Sequence, residues 1–161
     1  TAVEAMVALT STPAASFEIQ QVKSSRGIMA WLVETPDLPI IALHLAFRDA
    51  GSIADPAERQ GLAAFGAQML TEGAGELDAS AYQERLSELG ATLTFAASRD
   101  ILLGCLEAVR DDREQTFELL CLALTRPRFD AEAIERVRRS RLADLARHAT
   151  DPTYVVRRAW W

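Results

Sequence analysis

Histidine and cysteine, which supply most zinc ligands in proteins, are scarce in this sequence. There are two of each among 161 residues. His44 and His148 stand far apart without a companion ligand, and Cys105 and Cys121 lack the close spacing of a structural zinc site. Two cysteines are also too few for a disulfide framework, and we interpret both as small buried hydrophobic residues. A zinc site built from imidazoles and thiolates is therefore not expected.

Long apolar runs and an excess of positive charge are absent as well. No run approaches the ~20 apolar residues that a membrane-spanning helix needs, so we expect no membrane span. The formal net charge of -6 gives no general attraction to phosphate backbones, which makes nucleic acid a poor candidate partner. Hydrophobic residues, in contrast, make up 49% of the chain, enough for one domain with a sizeable core.

The first sixteen residues differ in composition from the rest of the chain. They are rich in Ala, Val, Met and Leu and end in Pro13-Ala14-Ala15-Ser16, which is typical of the small-residue end of a secretory signal. A basic start is missing and Glu4 interrupts the apolar stretch, so a disordered leader stays open as the alternative. We predict a leader or signal remnant over 1–16 and one domain over 17–161. The expected location is periplasmic or otherwise exported, with a cytoplasmic location as the alternative.

The pattern of apolar residues predicts an α+β domain. Strands are expected at 17–22, 28–34, 40–48, 91–97 and 101–109, where alternation or β-forming residues dominate. Helices are expected at about 58–71, 80–90, 112–125 and 130–149, with one more starting at Pro152. We expect the first three strands to form an antiparallel meander and the whole domain to be an antiparallel sheet backed by helices.

Two helices show further local signals. Ser80, followed by Gln83 three residues later, is close to a capping box and predicts the start of the second helix. In the third helix, the spacing of Phe117, Cys121 and Leu124, together with Leu120, predicts the apolar side.

The segment from Gly51 to Gly73 carries the most specific pattern of the chain. A Gly-Ser turn is followed by Asp55-Pro56, then Gly61-Leu62-Ala63, and finally Met69-Leu70 before a glycine. This order resembles the active-site segment of the pitrilysin/insulinase family of zinc peptidases, where Gly-Leu-Ala leads into the inverted zinc motif H-x-x-E-H.

Later parts of the chain follow the order of the same family. These parts are Leu77 to Tyr82, Leu89-Gly90-Ala91, the two strands that follow, Leu124 to Asp130, and Ile134-Glu135-Arg136. The resemblance covers about residues 17–161 and implies the N-terminal half of a LuxS/mitochondrial-processing-peptidase-like metallohydrolase fold. An Arg and a Tyr with which related subunits bind substrate are expected in a second half, outside these residues.

All three groups of the family's zinc motif are replaced in this chain. The first zinc histidine falls on Ala64, the catalytic glutamate on Ala67 and the second histidine on Gln68, while the third ligand, a glutamate, falls on or beside Asp144. A methyl group offers neither a lone pair nor a base, and one carboxylate with one amide is a poor zinc site. We therefore expect no catalytic residue, metal or cofactor in this chain, and zinc only in a partner subunit.

The resemblance implies a non-catalytic subunit that pairs with a zinc-bearing insulinase-like subunit, as bacterial and mitochondrial members often do. Such a subunit completes the chamber around an extended peptide substrate. A peptide can add to a sheet edge through main-chain hydrogen bonds, and we assign this role to the strand at 91–97, with Thr92 and Thr94 as candidate substrate-binding residues. An ordinary strand with one polar face is the alternative.

Two other functions remain open from the sequence. One is a purely structural or assembly subunit of a larger complex. The other is an active metallopeptidase with altered ligands, in which Asp144, Gln68 and Glu72 would replace the family's donors. Such a site would depart from the usual donor preferences of zinc.

Overall fold

The computed structural model describes residues 18–160, which belong to two compact units divided after Leu38. The first unit contains strands β1 (Ile19–Lys23) and β2 (Met29–Val33), which pair antiparallel. Gly27 provides the left-handed conformation of the turn between them, with φ at +88°. The leader predicted over 1–16 lies outside the described residues.

The second unit contains the remaining strands and helices. They are β3 (Ile40–Arg48), α1 (Leu62–Met69), α2 (Ala79–Glu88), β4 (Thr92–Ala97), β5 (Ile101–Val109), α3 (Arg113–Thr125), α4 (Ala131–Ala149) and α5 (Pro152–Trp160). Short 3₁₀ turns precede α1 and α3. The predicted α+β class, with an antiparallel sheet and helices, is confirmed.

The sheet of the second unit has three antiparallel strands in the order β3-β5-β4. β3 pairs with β5 along its whole length, from Ile40 opposite Val109 to Arg48 opposite Ile101. The predicted meander is therefore wrong for its third strand, because among residues 18–160 β1 and β2 form a separate sheet. Local alternation identifies a strand but does not specify its partner.

One face of this sheet packs against helices and forms the core. The sheet contributes Leu93, Phe95 and Leu106, while α2 contributes Tyr82 and Leu86. α3 adds Leu119, Leu120 and Ala123 to the same cluster. The strands alternate in burial, so Thr92 and Thr94 lie on the exposed face of β4.

The start of α2 differs from the prediction. Asp78, not Ser80, is the N-cap, because its carboxylate accepts a hydrogen bond from the N–H of Ala81 at 2.9 Å. An aspartate two residues earlier satisfies one free amide of the first turn, so the serine is not needed as the cap. The predicted capping box is thus wrong, although the helix itself is present.

The buried side of α3 also differs from the prediction. The helix buries Thr116, Leu119 and Ala123 together with Leu120, whereas Phe117 is 39% exposed. Cys121 is exposed, so its interpretation as a buried residue is wrong, while Cys105 on β5 is partly buried. Both sets of residues have helical spacing, and only the position of the sheet selects between them.

Candidate functional site

α1 and α4 lie side by side and run antiparallel. At one end, Arg136 of α4 donates from Nη2 to Oε2 of Glu72, just after α1, at 2.5 Å. In the middle, Met69 packs in one buried cluster with Val137. At the other end, Nη2 of Arg141 lies 3.5 Å from the carbonyl oxygen of Ala64. α1 therefore packs against α4, and of the three motif positions Gln68 lines a cavity together with residues of α4, whereas Ala67 packs in the core beneath the sheet.

Asp55 holds the N-terminus of α1 in place. Its Oδ2 accepts a hydrogen bond from the N–H of Gly61 and its Oδ1 from the N–H of Ala63, both at 2.8 Å. Gly61 adopts a left-handed conformation, with φ at +94°, that brings the chain back to this carboxylate. The sequence pattern included Asp55 as part of the Asp-Pro pair of the family and did not predict this capping role, although an acidic side chain ahead of a helix start is a known capping signal.

The motif positions offer no set of metal donors. Ala67 is 3% exposed and belongs to the apolar core, while Ala64 and Gln68 are partly buried. The carboxylate of Asp144 forms an ion pair with Arg147. Within the described residues, no three His, Cys, Asp or Glu side chains come close enough to hold a metal ion. These residues do not fit the zinc ion of the family.

The two histidines lie elsewhere. His44 is on the exposed face of β3, opposite Cys105 of β5. His148 stacks on Tyr154 of α5, with ring centroids 5.4 Å apart. Neither histidine takes part in the contacts between α1 and α4 described above.

A cleft of about 400 Å³ lies between α1, β4 and α4. Its lining consists of Gln68, Thr71, Glu72, Leu93, Thr94, Phe95, Arg136, Val137 and Ser140. The structure thus brings together Gln68 and Thr94, two of the residues predicted from sequence. Thr92 and Asp144 are not part of the lining.

A larger groove of about 870 Å³ lies between α2 and α4. Five of its lining residues are acidic, and Glu72 and Arg136 line both cavities. This ion pair therefore stands at the boundary between the groove and the cleft. We place the candidate site in the smaller cleft, because it contains a motif position and a strand edge.

One edge of β4 has no strand partner in the part of the chain that the structure describes. There, β5 is the strand that pairs with β4. Ser98 donates from its N–H to the carbonyl of Ile101 at 2.9 Å, which sets the alternation of the β4–β5 ladder. By this alternation Thr94 directs its peptide groups to β5, whereas Leu93 and Phe95 direct theirs away. No loop or helix within 18–160 forms a backbone hydrogen bond with Leu93 or Phe95.

The sequence model described as "Insulinase (Peptidase family M16)" matches residues 36–159, which is more than half of the chain. This chain belongs to the insulinase family. It is 32% identical over 120 residues to a protein described as "Non-peptidase homolog YmxG" from Helicobacter pylori, covering 74% of this chain and 28% of that protein. The crystal structure of a peptidase M16 inactive domain from Pseudomonas fluorescens matches with a TM-score of 0.77 and 26% identity.

The resemblance to inactive insulinase-family members, inferred from the sequence, is confirmed by these relatives. The structural match covers 86% of this chain and 34% of that one, so the chain spans about a third or less of the length of either relative. None of the helices in 18–160 combines the length and the apolar character that crossing a membrane requires.

Proposed function

We propose that this insulinase-family chain is part of a non-catalytic subunit that holds an extended peptide for a zinc-bearing partner subunit. The observation that carries the proposal is the free edge of β4, which borders a cleft beside the degenerate motif helix. The names of the two relatives, a non-peptidase homologue and an inactive domain, support the non-catalytic part.

Loss of hydrolysis follows from the side chains of α1. Peptide hydrolysis by a zinc enzyme needs a metal-bound water and a base near it. Ala64 and Ala67 provide neither, and Asp144 is already paired with Arg147. The same residues argue against an active metallopeptidase with altered ligands, because Gln68, Glu72 and Asp144 do not form a metal-binding group among the described residues.

Peptide binding would use the unpaired edge of β4. A peptide strand added to β4 would pair with the N–H and C=O groups of Leu93 and Phe95, each hydrogen bond contributing about 0.5–1.5 kcal/mol net. Main-chain pairing is tolerant of sequence. Alternate side chains of the peptide would enter the cleft near Gln68 and Thr94 or point to the opposite side of the added strand.

Binding of an unstructured peptide to the purified chain tests this mode. Fluorescence anisotropy should show saturable binding that weakens at least about tenfold when two consecutive central residues of the peptide are N-methylated, because methylation removes donors on both edges of its strand. The side chains of the two peptides are identical, so the unmethylated peptide is the control. Equal binding of both peptides would contradict strand addition.

A purely structural or assembly role is the alternative, and activity of the assembled pair distinguishes it. Gln68→Trp would fill the cleft from a partly buried position, and Glu118→Trp, on the exposed side of α3, is the matched control. If the cleft holds substrate, Gln68→Trp lowers peptide cleavage by the zinc-bearing partner while co-purification of the two subunits persists. Unchanged cleavage would favour the assembly role.

An exported location belongs to the same proposal. Fractionation of source cells, probed with an antibody against residues 39–160, should recover the protein with periplasmic or secreted markers. Recovery with cytosolic enzymes alone would contradict this location.

A further inference from the structure

Arg141 places a positive charge beside the motif helix. It follows Val137 by four residues and precedes Asp144 by three, so the three share one side of α4. Val137 is 7% exposed and packs with Met69, which shows that this side faces α1. The guanidinium of Arg141 reaches the carbonyl oxygen of Ala64, the position of the family's first zinc histidine.

The guanidinium of Arg141 is largely unsatisfied within residues 18–160. Among the described residues its one hydrogen bond is the long contact to Ala64, and none of their carboxylates lies within 4.0 Å. Three other arginines of α4 have a carboxylate partner, Arg136 with Glu72, Arg138 with Glu135 and Arg147 with Asp144, while the exposed Arg139 bonds only to a carbonyl of its own helix. Asp144, the acid on the same side of the helix, is therefore engaged elsewhere.

The guanidinium of Arg141 is thus a partly buried cation without a paired anion. Desolvation penalises the charge, and a neutral carbonyl compensates only in part. The planar guanidinium has several donors in a fixed fork that matches a carboxylate. A ligand carboxylate would supply the charge that Asp144 does not.

The position of Arg141 relates it to the peptide cleft. Ser140, its neighbour in sequence, lines the cleft, and so does Gln68, which lies one helical turn from Ala64 on α1. A peptide paired with β4 in this cleft would have one end close to the guanidinium.

We propose that Arg141 binds a carboxylate of the peptide that β4 holds, so that the degenerate metal site has become an anion site. The proposal rests on the proposed peptide-holding function. The carboxylate belongs either to the C-terminus of the peptide or to an Asp or Glu side chain. Both sources present the same planar anion to the guanidinium.

Two pairs of labelled peptides distinguish the sources. In one pair a free C-terminal carboxylate is compared with a C-terminal amide, and in the other an internal Asp with Asn. We expect the purified chain to bind the charged member of one pair at least about tenfold more tightly than the neutral member. Arg141→Gln should remove this preference, because the charged member then loses the cation with which it pairs.

Matched variants separate a specific contact from general charge. Arg139→Gln removes the same charge from α4, but Arg139 is exposed and bonds to the carbonyl of Glu135 on its own helix, so it should keep the preference. Arg141→Lys keeps the charge without the planar fork and should show a reduced preference. If Arg141→Gln does not fold, as judged by circular dichroism, the lysine variant carries the test.

Three outcomes would overturn the proposal. If the unaltered chain binds both members of each pair equally, the carboxylate site is wrong while peptide holding stands. If none of the peptides binds, the carboxylate site and the proposed function both fail. An equal loss of preference in Arg139→Gln would show that long-range charge, not a contact with Arg141, is responsible.

Discussion

At the scale of single residues, Tyr82 joins two helices through one buried hydroxyl. It is fully buried, and its hydroxyl donates to the carbonyl oxygen of Leu119 in α3 at 2.9 Å. Burial raises the pKa of Tyr82 to about 12, because ionisation would place a negative charge in apolar surroundings. This group is neutral in the folded protein at any pH at which an exposed tyrosine is neutral.

The raised pKa of Tyr82 predicts a loss of stability at alkaline pH. The unfolded chain releases this proton near pH 10 and the folded chain near pH 12, so the free energy of unfolding is unaffected below pH 10 and falls as the pH rises towards 12. The total loss is roughly 2–3 kcal/mol. Urea unfolding between pH 8 and 11.5 measures it, and Tyr82→Phe should flatten the dependence. Tyr154→Phe, at a partly exposed tyrosine, should not.

Replacement by alanine should change the stability in opposite directions at Gly51 and Gly66. A Cβ at Gly51 would lie 2.5 Å from the carbonyl oxygen of Arg99, while a Cβ at Gly66 would meet nothing within 4 Å. Gly51→Ala should therefore lower the free energy of unfolding by about 1–3 kcal/mol, because backbone atoms must move apart. Gly66→Ala, inside α1, should raise it by about 0.5–1 kcal/mol. Thermal unfolding measures both changes. If Gly51→Ala leaves the stability unchanged, the close contact between Gly51 and the backbone of Arg99 is wrong.

At the scale of elements, the short motif helix α1 depends on what surrounds it. An isolated helix of this length is unstable in water. Asp55 binds its first turn, Met69 packs against α4, and the Glu72–Arg136 ion pair follows its end. The position of Gln68 in the cleft thus depends on contacts outside α1.

Removal of the Asp55 carboxylate should loosen α1 at its start. Asp55→Ala loses two hydrogen bonds to backbone N–H groups and should cost about 1–3 kcal/mol of stability, with Asp55→Asn intermediate. Hydrogen exchange should accelerate at Gly61 and Ala63 more than in α3. Asp111→Ala is the control, since Asp111 lies in a 3₁₀ turn without a side-chain cap. Unchanged exchange at Ala63 would contradict the capping role.

At the scale of the whole molecule, the cleft arises where one helix pair meets a free strand edge. α1, α4 and β4 are far apart in sequence and each contributes to the lining. Arg141 of α4 and Ala64 of α1 are separated by 77 positions, yet their contact brings a fixed cation to the degenerate motif. A cation at this position attracts an anion, which is what the proposed carboxylate site requires.

Restoration of the zinc motif tests the placement of α1 against α4. Ala64→His, Ala67→Glu and Gln68→His, combined with Asp144→Glu, should produce measurable zinc binding. A further Arg141→Leu should increase the zinc affinity by about tenfold or more, because a nearby cation repels the metal. Arg139→Leu in its place is the control. Elemental analysis and calorimetry measure both effects, and no zinc binding in any variant would contradict the alignment of these helices.

Much of the local structure was predictable from local patterns. β3 and β5 begin and end at the predicted residues, and α4 ends at the predicted Ala149. Nine-residue runs in which alternation or β-forming residues dominate leave little ambiguity about the two strands. The buried side of α3 was not predictable. The residues that start at Phe117 and those that start at Thr116 both have helical spacing, so either set could face the core.

The sequence by itself determined that zinc chemistry is missing from the motif, because a methyl group cannot bind a metal or accept a proton in any fold. It also determined the strands, the helices and the family resemblance, all of which depend on neighbouring residues. Only the tertiary structure decided that β3 pairs with β5, which edge of β4 is free, and that Arg141 lies against Ala64. These are contacts between distant segments, whose partners are selected by the packing of the whole unit.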